Sequence, residues 1–166
     1  METYRRVEGL VDYIAGRYDA VAEIGIGHFP DVALSLLRRG LKIFATDIKP
    51  FRYKGLKVIV DDIVEPDCSL YINLELLYSM RTPPELVPYM IKLAKAISAD
   101  LIVKPLSSEY LNGKRVCYEN SNFFLWSQHE LCAQRMMKIP FINQQISPNP
   151  SLLKRGISGS ITRKRK

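Results

Sequence analysis

The sequence predicts an α/β domain, a mostly parallel sheet flanked by helices with a late antiparallel hairpin. Three observations predict it. Short apolar segments alternate with amphipathic stretches of helical period as far as residue 105, and such alternation builds a parallel sheet covered by helices. The glycine turn Gly25-Ile26-Gly27 joins the first strand-like segment to a helix. Two strand-like segments, 115–119 and 122–126, then lie side by side around Asn120-Ser121, which reads as a hairpin at or near the sheet edge.

The elements follow in order. Val7, Leu10, Val11, Ile14 and Tyr18 recur at three-to-four spacing, one apolar face of a helix over 3–18. Residues 20–24 (Ala-Val-Ala-Glu-Ile) read as a short buried strand closed by the glycine turn. Pro30 suits the opening of the next helix and Asp31 its positive first turn, while Gly40 ends it. Residues 41–46 form the second strand, running into Asp47, and a turn-rich loop through Lys49, Pro50 and Gly55 leads to a third strand, 57–60, ending at Asp61-Asp62. Residues 67–73 fit no single element, and 74–78 form the fourth strand. Thr82-Pro83-Pro84-Glu85 has the S/T-x-x-E spacing of a capping box. The helix it opens buries Leu86, Val87, Met90, Ile91, Ala94 and Ile97, and 100–105 is the fifth strand. After the hairpin a short helix follows Trp126.

Composition bounds the function. The chain of 166 residues is 47% hydrophobic, enough for one core without a disulfide or metal. Cys68, Cys117 and Cys132 are widely spaced and form no CxxC pair. They read as buried or incidental thiols of a reducing compartment. With no H-x-E or HExxH pattern either, no metal is expected. No apolar run reaches bilayer length and residues 1–6 lack a leader's apolar stretch, so a soluble cytoplasmic protein, without a membrane partner, is the expectation.

The net charge of +7 is unevenly spread. Residues 1–130 carry 16 Lys+Arg and 17 Asp+Glu, whereas 131–166 carry 8 Lys+Arg and no acid. The expected organisation is therefore a Rossmann-like domain over 1–130, an extension over 131–146 that is helical in one reading, and a basic, disordered tail over 147–166. The tail, with Lys154-Arg155 and Arg163–Lys166, is a solvated segment or a salt-sensitive contact for nucleic acid. No aromatic follows Phe141, so stacking on bases would not help it.

The chemistry concentrates where strands end. In an open α/β sheet, ligands bind beyond the carboxyl ends of the strands. Gly25 and Gly27 let the backbone approach a ligand, or simply make a strand-to-helix turn. Asp47 lies twenty residues beyond Gly27 and can accept both ribose hydroxyl protons or cap its loop. Asp61 or Asp62 can accept an adenine amino group or cap the next segment. Glu23 can touch a ligand or bond to backbone amides of the glycine turn. Arg81, past the fourth strand, offers a rigid fork for a carboxylate or phosphate, or a salt bridge to a nearby acid. Ser79 is a substrate-side candidate of the same kind. His28 is a candidate ligand contact or base, Lys104 faces the cleft or snorkels to solvent, and His129 reads as a surface residue.

Glu23-x-Gly25-x-Gly27 resembles the first motif of class I methyltransferases, with Phe29 where that pattern has its last glycine. A dinucleotide fingerprint would place a third glycine at Pro30. Residues 23–29, 45–49, 60–63, 76–86 and 100–106 together resemble a small uncharacterised archaeal family related to methyltransferases. The most specific stretch is Leu77-Tyr-Ser-Met-Arg-Thr-Pro-Pro-Glu-Leu86, and the likeness spans residues 4–126. It implies a Rossmann-like, methyltransferase-type fold and S-adenosylmethionine as ligand. It also implies that Gly25 and Gly27 line the methionine part, Asp47 holds the ribose, and Asp62 with Ile63 holds the adenine. Thr82–Glu85 superficially resembles the proline-proline-aromatic motif of amino-group methyltransferases, with Glu85 in place of the aromatic. Three functions compete: an S-adenosylmethionine-dependent methyltransferase of unknown acceptor, a non-catalytic binding or scaffold module, and an NAD(P)-binding protein.

Overall fold

The computed structural model describes residues 2–106 and 111–136. The expected tail over 147–166, and most of the expected extension, lie outside the described residues.

Seven strands form one sheet in the order β3-β2-β1-β4-β5-β7-β6. They are β1 (Ala20–Ile24), β2 (Lys42–Asp47), β3 (Lys57–Val60), β4 (Leu76–Thr82), β5 (Asp100–Pro105), β6 (Lys114–Tyr118) and β7 (Ser121–Trp126). The helices are α1 (Glu2–Ala15), α2 (Asp31–Arg38), α3 (Val87–Ile97) and α4 (Gln128–Met136). Strands β1 to β5 pair in parallel, whereas β7 runs antiparallel to both β5 and β6. This is the expected α/β architecture with its late hairpin.

Helices cover both faces, so the inner strands are mostly apolar on both sides rather than alternating. On one face Leu10, Ile14, Val32 and Leu36 of α1 and α2 pack on Val21, Tyr78, Ile102 and Phe123. On the other, Val87, Met90 and Leu93 of α3 and Leu131 of α4 pack on Ala22, Leu77, Leu101 and Val103. Successive residues of β5 serve opposite faces, as the pleat demands.

One local reading changes and two that were open are decided. The fourth strand does not end at Tyr78 but runs on to Thr82, with its register to β5 shifting between Met80 and Thr82. Thr82 therefore caps no helix: its hydroxyl donates to Ser79 Oγ at 2.7 Å. A single tight turn over Pro84–Leu86 leads into α3, and neither has a side-chain cap. The ambiguous stretch is also a tight turn, Cys68–Tyr71, capped by the Asp67 carboxylate. The three cysteines are free and all exposed, not buried.

The chain winds outward from β1 in one direction through β2 and β3, and in the other through β4 and β5. The junction of β1 with β4 is thus the point where the winding reverses, and a crevice opens above it.

Candidate functional site

That crevice is a cleft of about 570 Å³ at the carboxyl ends of β1 to β4. Of the residues singled out from the sequence, Gly25, Gly27, His28, Asp47, Asp61, Asp62, Ile63, Ser79 and Arg81 line it. Glu23 does not; it is fully buried one strand position below.

The floor is the turn after β1. Gly25 and Gly27 have φ of +71° and +49°, values that side chains with a Cβ adopt only at a cost. A Cβ on either would meet nothing within 4 Å, so the turn faces open space rather than packed protein. The amides of Gly25 and Ile26 both donate to the Thr46 carbonyl, at 2.8 and 3.2 Å, tying the turn to β2. The Tyr53 hydroxyl donates to the Gly27 carbonyl from the β2–β3 connection.

Asp47 sits at the end of β2. One carboxylate oxygen accepts from the Gly27 amide and the other from the Lys49 amide, each at 3.0 Å. Each oxygen keeps a further lone pair, so the group is positioned but not saturated. The β3 end carries two acids with different surroundings. Asp61 accepts from the Tyr71 hydroxyl at 2.6 Å and the Asp67 amide at 3.1 Å, which knits it into the scaffold. Burial, then the Asp61 carboxylate, raise the Tyr71 phenol well above its ordinary range. Asp62 is exposed and one oxygen accepts from the Val64 amide at 2.9 Å. Ile63, beside it, is buried and supplies an apolar wall.

Beneath the turn lies Glu23. Its Oε2 accepts from the Tyr78 hydroxyl at 2.8 Å, and Oε1 has no hydrogen-bond partner among the described residues. It makes none of the bonds to the glycine-turn amides that the sequence suggested. Burial drives its carboxyl up to about 8 despite the Tyr78 bond, with Asp31 adding to the rise. The group is thus mostly protonated at neutral pH.

The β4 side differs. Ser79 is buried and donates to the Ile24 carbonyl at 2.8 Å while receiving the Thr82 hydroxyl. Arg81 is exposed at the register shift with φ of +56°, a left-handed conformation that is strained for a long side chain. Its guanidinium lies 3.3 Å from the Phe29 ring centroid, so it makes a cation–π contact and not the salt bridge considered from sequence. His28 is exposed, with its ring edge-on to Phe51 at 4.9 Å. Lys104 donates to the Asn122 carbonyl at 3.2 Å, and His129 is exposed on α4.

Sequence reasoning missed Phe51 and Tyr53, whose rings stack at 6.3 Å and brace the glycine turn from the β2–β3 connection. The available signal was two aromatics two apart in a stretch otherwise rich in turn formers. Among the described residues no cluster of three or more His, Cys, Asp or Glu could hold a metal, and no helix is long and apolar enough to cross a membrane.

A parallel sheet with a cleft over its winding reversal and a glycine turn as floor defines a Rossmann-like protein of the methyltransferase type. Solved structures agree. The chain superposes on a SAM dependent methyltransferase from Archaeoglobus fulgidus with a TM-score of 0.51 at 15% identity, over 66% of this chain and 54% of that one. It superposes on an S-adenosyl-L-methionine methyl transferase from Silicibacter pomeroyi with a TM-score of 0.50 at 12% identity, over 75% and 91%. At such identities the likeness speaks to the fold alone. The chain belongs to the uncharacterised protein family UPF0146, whose family model matches residues 7–128. It is 39% identical over 118 residues to a UPF0146 protein of Archaeoglobus fulgidus, covering 70% of this chain and 91% of the relative. It is 40% identical over 93 residues to one of Methanocaldococcus jannaschii, covering 54% and 68%. Both relatives are archaeal, as the sequence resemblance implied.

Proposed function

We infer that the cleft binds S-adenosylmethionine and that the protein is methyltransferase-like, with an acceptor still to be named. The observation that carries this reading is the convergence of an open glycine turn, the Asp47 carboxylate and the Asp62-Ile63 pair on one cleft. The residues present fit the ligand. The space over Gly25 and Gly27 takes the methionine portion. The spare lone pairs of Asp47 accept the two ribose hydroxyls, and Asp62 with the apolar wall of Ile63 takes the adenine.

When bound, the donor supplies a methyl group on a sulfonium sulfur. The chain's own contribution is orientation, which is the larger part of such a transfer. The amides of Gly25 and Ile26 fix the turn against β2, Asp47 holds the turn and the loop after β2 in one frame, and Tyr53 braces the turn from outside. His28, exposed at the rim, is the candidate to take a proton from an acceptor whose pKa requires it.

A second reading, a binding module without turnover, is favoured by Phe29. Its ring stands where the methyltransferase motif has a glycine, and Arg81 caps it at the cleft rim.

Calorimetric titration with S-adenosylmethionine, S-adenosylhomocysteine, NAD and NADP, beside an Asp47→Ala variant, tests the ligand. Micromolar binding of the adenosylmethionine pair, lost in the variant, is the expected result. A preference for NAD or NADP would overturn it. Conversion of bound donor to S-adenosylhomocysteine in the presence of cell extract separates the methyltransferase from the module.

A further inference from the structure

The β2–β3 connection carries an unusual charge. Residues 48–60 contain Lys49, Arg52, Lys54 and Lys57 and no acid, whereas the rest of residues 1–130 carries 12 Lys+Arg against 17 Asp+Glu. All four cations are exposed, and none of their side chains forms a hydrogen bond or ion pair among the described residues. Elsewhere acids outnumber bases, so this stretch is a local positive region on a negative body. Such a region focuses the field toward a polyanion.

Its position is informative. Lys49 lines the cleft, as does Arg81. Phe51 and Tyr53 turn inward to pack with Ile26, Ala33 and Ala45, which anchors the connection that carries the cations, while Ile48 and Val60 stand exposed beside them. Arg81 adds the second element. One face of its guanidinium rests on Phe29, while the residue as a whole is exposed. A guanidinium seated over a ring has a second face for another planar group, and nucleobases stack on arginine planes.

We propose that the basic β2–β3 connection and the Arg81–Phe29 stack form a binding surface for single-stranded nucleic acid. The cations track the phosphates, and the stacked guanidinium receives a base at the rim of the cleft. As the identity of a methyl acceptor this rests on the adenosyl reading; as a binding surface it stands without it. It is distinct in sequence from the basic tail, where no aromatic follows Phe141.

The test uses the full chain and a labelled single-stranded RNA of about ten nucleotides, followed by fluorescence anisotropy across a salt series. Three proteins are compared: wild type, an Arg52→Gln/Lys54→Gln variant, and a variant with the lysines and arginines of 154–166 changed to Gln. Arg52 and Lys54 do not line the cleft, so S-adenosylhomocysteine binding by calorimetry serves as a separate control. The loop variant is expected to bind the RNA about tenfold more weakly, with the salt slope reduced by about 1.4. Its S-adenosylhomocysteine affinity should be unchanged. RNA binding that is lost only in the tail variant would overturn the proposal. So would binding to phosphatidylserine vesicles with none to RNA. If S-adenosylhomocysteine binds no variant yet the loop variant still loses RNA, the adenosyl reading fails and the nucleic-acid surface stands.

Discussion

The cleft has two unlike sides. Where β1, β2 and β3 end, the chain turns at glycines or acids, and the backbone amides are used up by Thr46, Asp47 and Asp62. Where β4 ends, the strand runs on past the cleft floor, shifts register, and holds Arg81 in a left-handed conformation with its charge on an aromatic ring. One side is a rigid frame built of short polar contacts. The other stores strain in a single exposed cation. The difference suggests a division of labour, a fixed seat for a constant ligand beside a rim shaped by whatever comes second.

The Glu23–Tyr78 pair joins the two sides, and it sets the largest expected effect. The folded protein holds a Glu23 proton that the unfolded chain releases, since the carboxyl rises from its ordinary 4.5 to about 8. Stability is therefore full below about pH 4.5 and declines as pH climbs through that window toward 8. A Glu23→Gln variant should lose this decline and exceed wild type at pH 8 by on the order of 3 kcal/mol, measured by denaturant unfolding at several pH values. A parallel pH dependence in both proteins would mean that the two sides are not coupled through this carboxyl.

On the frame side, Asp47→Ala should weaken S-adenosylhomocysteine binding about thirtyfold, roughly 2 kcal/mol, by calorimetry. Gly27→Ala should cost about 1–2 kcal/mol of folding stability by thermal unfolding, purely from its positive φ, because the added Cβ has room. The rim side should answer only weakly. Arg81→Gly relieves a left-handed residue while losing one cation–π contact, so stability should shift by less than about 1 kcal/mol. A large destabilisation by Arg81→Gly would place Arg81 in the frame and erase the contrast.

The same contrast decided what could be read from the sequence. Strands β1, β3 and β5 were legible to the residue, because each is a short, largely apolar run closed by a turn former or an acid, although only β1 and β5 are buried. Asp47 and Asp62 were legible as acids at strand ends. The extension of β4 was not, since Ser79, Arg81 and Thr82 look like punctuation. They stay in the strand because Ser79 and Thr82 satisfy each other and the Ile24 carbonyl, contacts that exist only after β1 and β4 have paired. The capping-box reading of Thr82–Glu85 failed for that reason. The bracing role of Tyr53 was hidden likewise, as its partner Gly27 lies 26 residues away. The acid at Glu23 was visible, but its partner Tyr78, 55 residues on, and hence its neutral state, was not.

The placement of β7 between β5 and β6 has a consequence for how the chain assembles. Strands β1 to β5 can pair as they leave the ribosome, but β5 then presents a bare edge until residues 121–126 arrive from a hairpin whose first strand never touches it. During that interval the nascent protein carries an unpaired row of amides and carbonyls beside an apolar strand, Leu101-Ile102-Val103. Crowding at this stage favours intermolecular pairing over completion. Yield in synthesis should therefore respond to the speed at which the hairpin is delivered, quite apart from how stable the finished sheet is.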